Sequence, residues 1–434
     1  MENFLHTMIE KRQLGIRCGI PSFCCANKIV IEAILDYAKA NDIIVLIEAT
    51  SNQVNQDLGY TGMTPLDFKD YVFEIADKID LSKNKIILGG DHMGPLPWIH
   101  LPAEIAMDQA EILVRDCVRA GYTKIHLDTS MPLQGDVSFS DELIAQRAGR
   151  LYIACEDEFS QIKKSNKSAI HPVYVIGSEV PIPGGAISEE GEVEITNCTS
   201  FQQSLFAYKK VFTEMDITDA WQHIIALVVQ PGVEFGNDSV QDYDRDSAKE
   251  LCDILHNYPD IVFEGHSTDF QTSKNLRYLV EDGFGIIKVG PALTFALREA
   301  LFALDYIENE LDFTSDKKAN FSKTLIETMC TEPKYWNKYY DDTKSKILQC
   351  KYSFSDRSRY YLIDQKVEHS VSTLISNLSN IELPLGLLSQ FMPLQYKKVI
   401  EGTIDRNAYS LVKDSVTNVI EDYHKATQSI YLKK

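Results

Sequence analysis

The chain has 434 residues, of which 44% are hydrophobic and 24% are charged, as is typical of a folded globular protein. Its formal net charge of −20 argues against nucleic acid or an anionic membrane as a partner, since both need a basic surface. The first twenty residues lack a signal-peptide core, no apolar run has the length of a membrane span, and the nine cysteines show no zinc-finger spacing. We therefore expect a cytoplasmic protein that binds neither nucleic acid nor membrane.

Eight short runs rich in Ile and Val recur along the chain, with helix-length segments between them. They cover residues 15–23, 43–50, 85–92, 124–130, 173–180, 224–232, 261–268 and 285–292. Such runs are typical of strands buried on both faces of a parallel sheet. Eight β–α units predict the α/β class and a closed (β/α)8 TIM barrel over residues 1–300. The alternative, an open doubly wound sheet, would have fewer strands and a ligand site at one switch point.

The β-rich pattern stops near residue 300. The remaining segment, 301–434, is predicted to be helical and contains aromatic clusters at 335–340 and 352–361. We expect it to be a helical C-terminal extension packed on the barrel.

Ionisable and polar residues follow nearly every predicted strand, at the end of a barrel where active sites lie. Asp91, Asp128 and Asp269 are candidate catalytic acids for moving a proton. Further candidates for contacting a substrate are Glu48, Asn52 and Ser130.

Several carboxylates gathered at one mouth repel one another unless they are paired or bind a cation. His92, Glu179 and His266 form a plausible set of ligands for a divalent metal, for which we expect zinc. Alternatively, Glu179 caps a loop and His266 is a hydrogen-bonded structural histidine. His126 lies in mid-strand, where we expect it to pack between the barrel and its helices.

The loops after strands 7 and 8 of a barrel commonly bind phosphate. Ser267, Thr268 and the backbone near Gly290 are candidates here, and Arg357 or Arg359 can reach over as a clamp; a surface ion-pair run is the alternative. The sequence has no Gly-Lys pair and therefore no P-loop, which excludes a P-loop kinase.

Several long motifs resemble the GatZ/KbaZ-type subunit of D-tagatose-1,6-bisphosphate aldolase, among the class II aldolase-like barrels. They include LIEATSNQVNQ (46–56), IILGGDHMGP (86–95), YVIGSEVPIPGG (174–185), HSTDFQT (266–272) and KVGPALTFALREA (288–300). The resemblance implies a barrel, a phosphorylated ketohexose as substrate, and a place in galactitol or tagatose carbohydrate metabolism. It also implies a separate class II aldolase catalytic subunit as partner, in an oligomer. Some members of the family are metal-dependent C4 epimerases of ketohexoses.

Two departures bear on the activity that the resemblance implies. Class II aldolases keep an Asp-His pair, which Asp91–His92 resembles, but their histidine near strand 6 is replaced here by Gln230. Either Gln230 or Glu179 completes a different metal set, or the aldolase chemistry is lost. Near strand 1, residues 25–28 read Cys-Ala-Asn-Lys where the family commonly has Ser-Ala-His-Pro. Two hypotheses follow: a component of the aldolase, or a self-sufficient epimerase interconverting fructose 6-phosphate and tagatose 6-phosphate.

Overall fold

The computed structural model describes residues 3–180, 193–340, 344–379 and 381–432. Eight parallel strands close into a barrel, with the first strand paired to both the second and the eighth. In chain order they are β1 Ile20–Cys24, β2 Val45–Thr50, β3 Ile86–Met93, β4 Lys124–Leu127, β5 Val173–Ile176, β6 Ile224–Val229, β7 Val262–Gly265 and β8 Phe284–Val289. The predicted TIM barrel is confirmed, and its closure rules out an open sheet.

The helices begin and end largely at residues whose chemistry suits a helix terminus. Thr64 and Asp67 form a capping box at the start of the helix whose first residue is Pro65. Gly121 ends another helix in the left-handed conformation. The described helices are α1 Phe4–Gln13, α2 Lys28–Asn41, α3 Pro65–Lys78, α4 Ala103–Ala120, α5 Asp141–Ser165, α6 Cys198–Glu214, α7 Lys249–Ile254, α8 Ser273–Glu281, α9 Pro291–Glu310, α10 Phe321–Thr331, α11 Lys346–Tyr352, α12 Gln365–Ser379, α13 Leu385–Phe391, α14 Pro393–Ile400 and α15 Ala408–Thr427. None of them combines the length and apolar character needed to cross a membrane.

Helix α1 packs against the N-terminal end of the barrel. Its buried Leu5, Met8 and Ile9 join a hydrophobic cluster made by residues near the strand starts, such as Leu46 and Ile87. This second core is separate from the larger one between strands and outer helices. The polar groups inside the barrel therefore lie above an apolar floor.

The C-terminal segment is packed on the barrel. The predicted boundary at residue 300 falls inside α9, and α15 packs against α2, α8 and α9. The backbone N–H of Gly19 donates to Thr427 O at 2.8 Å, and the Tyr423 hydroxyl donates to Thr268 O at 2.7 Å. A buried ion pair joins Arg298 Nε to Asp356 Oδ1 at 2.9 Å. The last helix is thereby fixed to the first strand and to the loop after β7.

Candidate functional site at the barrel mouth

Four buried side chains from three strands meet inside the barrel near its C-terminal end. They are Asp91 of β3, His126 of β4, Glu264 of β7 and His266 just after it. One ligand atom from each lies within 4.8 Å of the others. Side chains alternate between the two faces of a strand, so residues two positions apart face the same side. His126 and Glu264 both face the barrel interior. We call these four residues the ligand cluster.

Two buried lysines hold the carboxylates around the ligand cluster. Lys124 Nζ lies 2.8 Å from Glu48 Oε1 and 2.8 Å from Glu264 Oε2. Lys288 Nζ lies 2.8 Å from Glu48 Oε2 and 2.5 Å from Asp91 Oδ1. Gly89 leaves the space for this network, since a Cβ there would come 2.4 Å from Glu48 Oε1.

The charge state of these lysines follows from their partners. Burial opposes protonation of Lys288, but Asp91 and Glu48 outweigh it and raise its pKa well above the usual value. The pKa of Lys124 is raised in the same way, by Glu264 and Glu48 against burial. Lys288 is therefore a cation at neutral pH and is not available as a Schiff-base nucleophile.

His92 forms a proton-sharing pair with Asp128 beside the ligand cluster. Its Nδ1 lies 2.7 Å from Asp128 Oδ2, and Asp128 Oδ1 accepts from the Ser130 hydroxyl at 2.6 Å. Burial opposes protonation of His92, but Asp91 and Asp128 outweigh it and raise its pKa. His92 has φ +48° where the register of β3 against β4 shifts, so the backbone turns its ring out of the strand's alternation.

The buried charges around the ligand cluster do not cancel. Four carboxylates (Glu48, Asp91, Asp128 and Glu264) face two ammonium groups (Lys124 and Lys288), which leaves a formal charge of −2 with neutral histidines, or −1 when His92, whose pKa is raised, carries a proton. Burial lowers the pKa of His266 to about 3, so its ring is neutral at physiological pH. His126 Nε2 is buried and has no hydrogen-bond partner among the described residues. A buried excess of negative charge beside imidazole and carboxylate donors fits a divalent cation.

The ligand cluster differs from the set predicted from the sequence, of which it contains His266 alone. His92 lies beside it, with its ring centroid 4.9 Å from that of His266, and its Nδ1 is engaged by Asp128. Glu179 is exposed and accepts a hydrogen bond from Thr196. Residues 181–185 of the motif quoted at 174–185 lie outside the described residues.

The expectation for His126 was wrong. The ring lies inside the barrel rather than between barrel and helices, because its centroid is 5.2 Å from those of both His92 and His266. Its Nδ1 is 3.2 Å from Asp91 Oδ1. Gln230 does not complete the ligand set either, since its Oε1 accepts from the backbone N–H groups of Gly232 and Val233.

A pocket opens from the ligand cluster to solvent, and the C-terminal segment forms part of its wall. Of the residues predicted to contact substrate, Asn52, Ser267 and Gly290 line it. The others do not: Glu48 is buried in the lysine network, Ser130 is bonded to Asp128, and Arg357 is buried with its guanidinium carbon 3.4 Å from the centroid of the Tyr339 ring. The pocket lining also includes Asp91, His92, His266, Asp269, Lys288, Tyr60, Arg359 and Tyr360.

Asp269 occupies the position at which the sequence predicts a phosphate. Its Oδ1 accepts from the backbone N–H of Gly290 at 3.0 Å and of Ala292 at 2.8 Å, at the start of α9. Thr268, the other predicted contact, is buried, and its hydroxyl donates to Lys288 O at 2.5 Å. Asp269 therefore serves as the cap of α9 and is separate from the ligand cluster.

The closed barrel, the ligand cluster at its mouth and the adjoining pocket define a TIM-barrel protein with a candidate metal centre. The chain belongs to the family described as D-tagatose-1,6-bisphosphate aldolase subunit GatZ/KbaZ-like, whose model matches residues 5–428. The membership predicted from the motifs is thereby confirmed.

Solved structures similar to this chain include one relative with substantial sequence identity. A probable tagatose 6 phosphate kinase from Sinorhizobium meliloti 1021 is 42% identical, with a TM-score of 0.83 over 94% of this chain and 100% of that chain. The YdjI aldolase from Escherichia coli K12 is 11% identical, with a TM-score of 0.44 over 86% of this chain and 97% of that one. The second likeness has no bearing on the chemistry of this chain.

Proposed function

We propose that this chain, as a subunit of D-tagatose-1,6-bisphosphate aldolase, binds a phosphorylated ketohexose in the pocket at the barrel mouth. The pocket adjoins the ligand cluster, where Asp91, His126, Glu264 and His266 would hold a divalent metal, for which we favour zinc. The observation that carries the proposal is the net negative charge of the buried groups beside a pocket open to solvent. An accessory subunit without chemistry has no need for such an arrangement, since burying unpaired carboxylates is costly.

The residues of this chain suit the cleavage of a ketose between C3 and C4. That step removes the proton of the C4 hydroxyl and leaves an electron pair on C3, which is delocalised onto the C2 carbonyl. Zinc in the ligand cluster would supply a Lewis acid for a carbonyl oxygen. His92 shares its Nδ1 proton with Asp128, so Nε2 is the atom at which His92 takes up or releases a proton.

Lys124 and Lys288 have a supporting role in this proposal. Their ammonium groups hold Glu48, Asp91 and Glu264 in place inside the barrel. Burial opposes ionisation of Asp91 and Glu264, but His92 and Lys288 lower the pKa of Asp91, and Lys124 and His266 lower that of Glu264, so these two carboxylates remain ionised and able to act as ligands or proton acceptors. The sequence contains no P-loop, so we do not propose a kinase.

Two forms of this function differ in whether a second protein is needed. In the first, the chain works with a separate class II aldolase catalytic subunit, in an oligomer. In the second, it is a self-sufficient C4 epimerase that cleaves and re-forms the C3–C4 bond of fructose 6-phosphate. The second form is favoured by one observation: the ligand cluster and the His92–Asp128 pair are supplied by this chain alone.

The first test is the metal content of the purified chain. We expect about one divalent metal per chain in the wild type, and its loss in His126→Ala and Glu264→Gln. Glu179→Gln is the matched control, since Glu179 is exposed and lies outside the ligand cluster. Loss of metal in Glu179→Gln with retention in Glu264→Gln would show that the metal binds elsewhere.

The second test separates the two forms by activity. The wild-type chain is incubated with fructose 6-phosphate alone, and with tagatose 1,6-bisphosphate in the presence and absence of a class II aldolase. Tagatose 6-phosphate formed by the chain alone identifies the epimerase, whereas cleavage that rises only with the second protein identifies the aldolase component. A chain that binds no metal and changes neither reaction contradicts the proposal.

A further inference from the structure

The start of α9, where a barrel of this kind commonly holds a phosphate, is already occupied by a negative charge. Asp269 Oδ1 accepts from two of the backbone N–H groups there, those of Gly290 and Ala292. Asp269 is 3% exposed, and the neighbouring Ser267 and Phe270 adopt positive φ values of 53° and 64°. A phosphate at this helix end would have to displace the carboxylate or lie against it, and like charges at that distance repel.

A cation of the C-terminal segment lines the same pocket, and its charge acts on the Asp269 carboxylate without forming an ion pair with it. Arg359 lies in the short helical turn Arg357–Tyr360 and lines the pocket together with Tyr60 and Tyr360. Its Nη1 donates to the backbone carbonyls of Ser355 and Asp356, and its Nη2 donates to the Tyr360 hydroxyl at 3.2 Å. Its position is thus fixed by backbone contacts.

Arg359 forms no ion pair with any carboxylate in the described part of the chain. The nearby Asp356 is engaged by other groups: its carboxylate accepts from Thr294 at 2.5 Å, from Arg298 at 2.9 Å and from Ser358 at 2.7 Å. Lys288, the other cation that lines the pocket, is paired with Asp91 and Glu48.

We infer that Arg359, rather than the start of α9, binds the phosphate group of the substrate, and that Asp269 keeps phosphate away from the helix end. This inference rests on the proposed function for the presence of a sugar phosphate. Arginine suits the task because its planar guanidinium donates two parallel hydrogen bonds to phosphate oxygens. The Tyr60 and Tyr360 rings, with centroids 4.6 Å apart, form the adjacent wall. The specificity for a phosphorylated end is therefore assigned to the C-terminal segment.

The experiment measures binding of inorganic phosphate to the full chain by titration calorimetry. Arg359→Gln is expected to weaken phosphate binding roughly ten- to a hundred-fold, the loss typical of a charged hydrogen-bonding group. Arg359→Lys keeps the charge and is expected to lose less affinity. Arg119→Gln is the matched control, because Arg119 is an exposed arginine paired with Asp116 and Glu158 on the outer surface.

A further variant distinguishes the two possible positions of the phosphate. Asp269→Asn keeps an oxygen that accepts from the α9 backbone but removes the negative charge, so phosphate is expected to bind at least as tightly as to the wild type and still to depend on Arg359. Phosphate affinity unchanged in a folded Arg359→Gln variant would overturn the inference. So would tight binding to the Asp269→Asn, Arg359→Gln double variant.

The readout does not require turnover. If the chain binds phosphate through Arg359 yet shows no activity, the inference stands while the proposed function fails. If the chain is active and its phosphate affinity does not depend on Arg359, the proposed function stands and the inference fails. Thermal unfolding of each variant in phosphate-free buffer checks that the turn Arg357–Tyr360 has kept its fold.

Discussion

Replacing Asp269 by asparagine is expected to stabilise the fold at neutral pH. The variant retains an acceptor for the N–H groups of Gly290 and Ala292 but has no charge to bury. In the wild type, burial raises the pKa of Asp269 from 3.8 to about 6. At 1.36 kcal/mol per pH unit, ionising Asp269 in the folded chain costs up to about 3 kcal/mol more than in the unfolded chain.

The pH dependence has a definite sign. The folded state keeps the Asp269 proton to a higher pH than the unfolded state does, so the unfolded state releases it first as pH rises. Wild-type stability therefore falls between pH 3.8 and about 6 on account of this group, and stays lowered above that range. Asp269→Asn does not lose stability in this way, so the difference in free energy of unfolding between the variant and the wild type should grow across the same pH range.

The assay is urea unfolding at a series of pH values from about 4 to about 8, followed by circular dichroism. The free energy of unfolding of Asp269→Asn minus that of the wild type is expected to grow by up to about 3 kcal/mol and then to level off above about pH 6. Asp238→Asn, at an exposed carboxylate, serves as the control and should show no such growth. A difference for Asp269→Asn that stays constant with pH would refute the reasoning.

Three further outcomes are expected. Lys124→Met removes the close cation of Glu264 and leaves Glu48 with Lys288 alone, so it should lower the free energy of unfolding by about 3–5 kcal/mol, part of which Glu264→Gln in the same chain should restore; an unchanged urea midpoint would contradict this. Gly94→Ala places a Cβ 1.7 Å from Asp128 O and should sharply reduce the thermal midpoint, whereas Gly386→Ala meets nothing within 4 Å and serves as its control. Chelator dialysis should also lower the thermal midpoint and zinc should restore it, because bound metal offsets the buried negative charge; a midpoint that neither treatment changes counts against the ligand cluster.

The barrel was predictable because its strands are buried on both faces and so appear in the sequence as short runs rich in Ile and Val. Asp91, His92 and His266 could be picked out because they stand where such a run ends. His126 was not predicted as a ligand because it lies in mid-strand, where a packed side chain is expected, and Glu264, an acid near the end of the seventh run, was not singled out from its neighbours. The alternation Lys124, His126, Asp128 was the available signal, because residues two apart on a strand face the same side.

The position of Arg359 could not be derived from the chain alone. Arg357 and Arg359 stand two residues apart in one short helical turn, which follows Asp356 in the left-handed conformation. That turn directs Arg357 onto the Tyr339 ring and Arg359 into the pocket. Which arginine faces the site depends on tertiary contacts of Asp356 with Thr294 and Arg298, which no local pattern encodes.

The attachment of the last helix to the first strand bears on how the protein folds. The bond from Gly19 N–H to Thr427 O and that from Tyr423 to Thr268 join segments that lie far apart in sequence. Contacts of such long range raise the contact order, and a high contact order slows folding because the chain entropy must be lost before the contacts form. The helical segment that forms part of the pocket wall is therefore held to the barrel by contacts of long sequence separation.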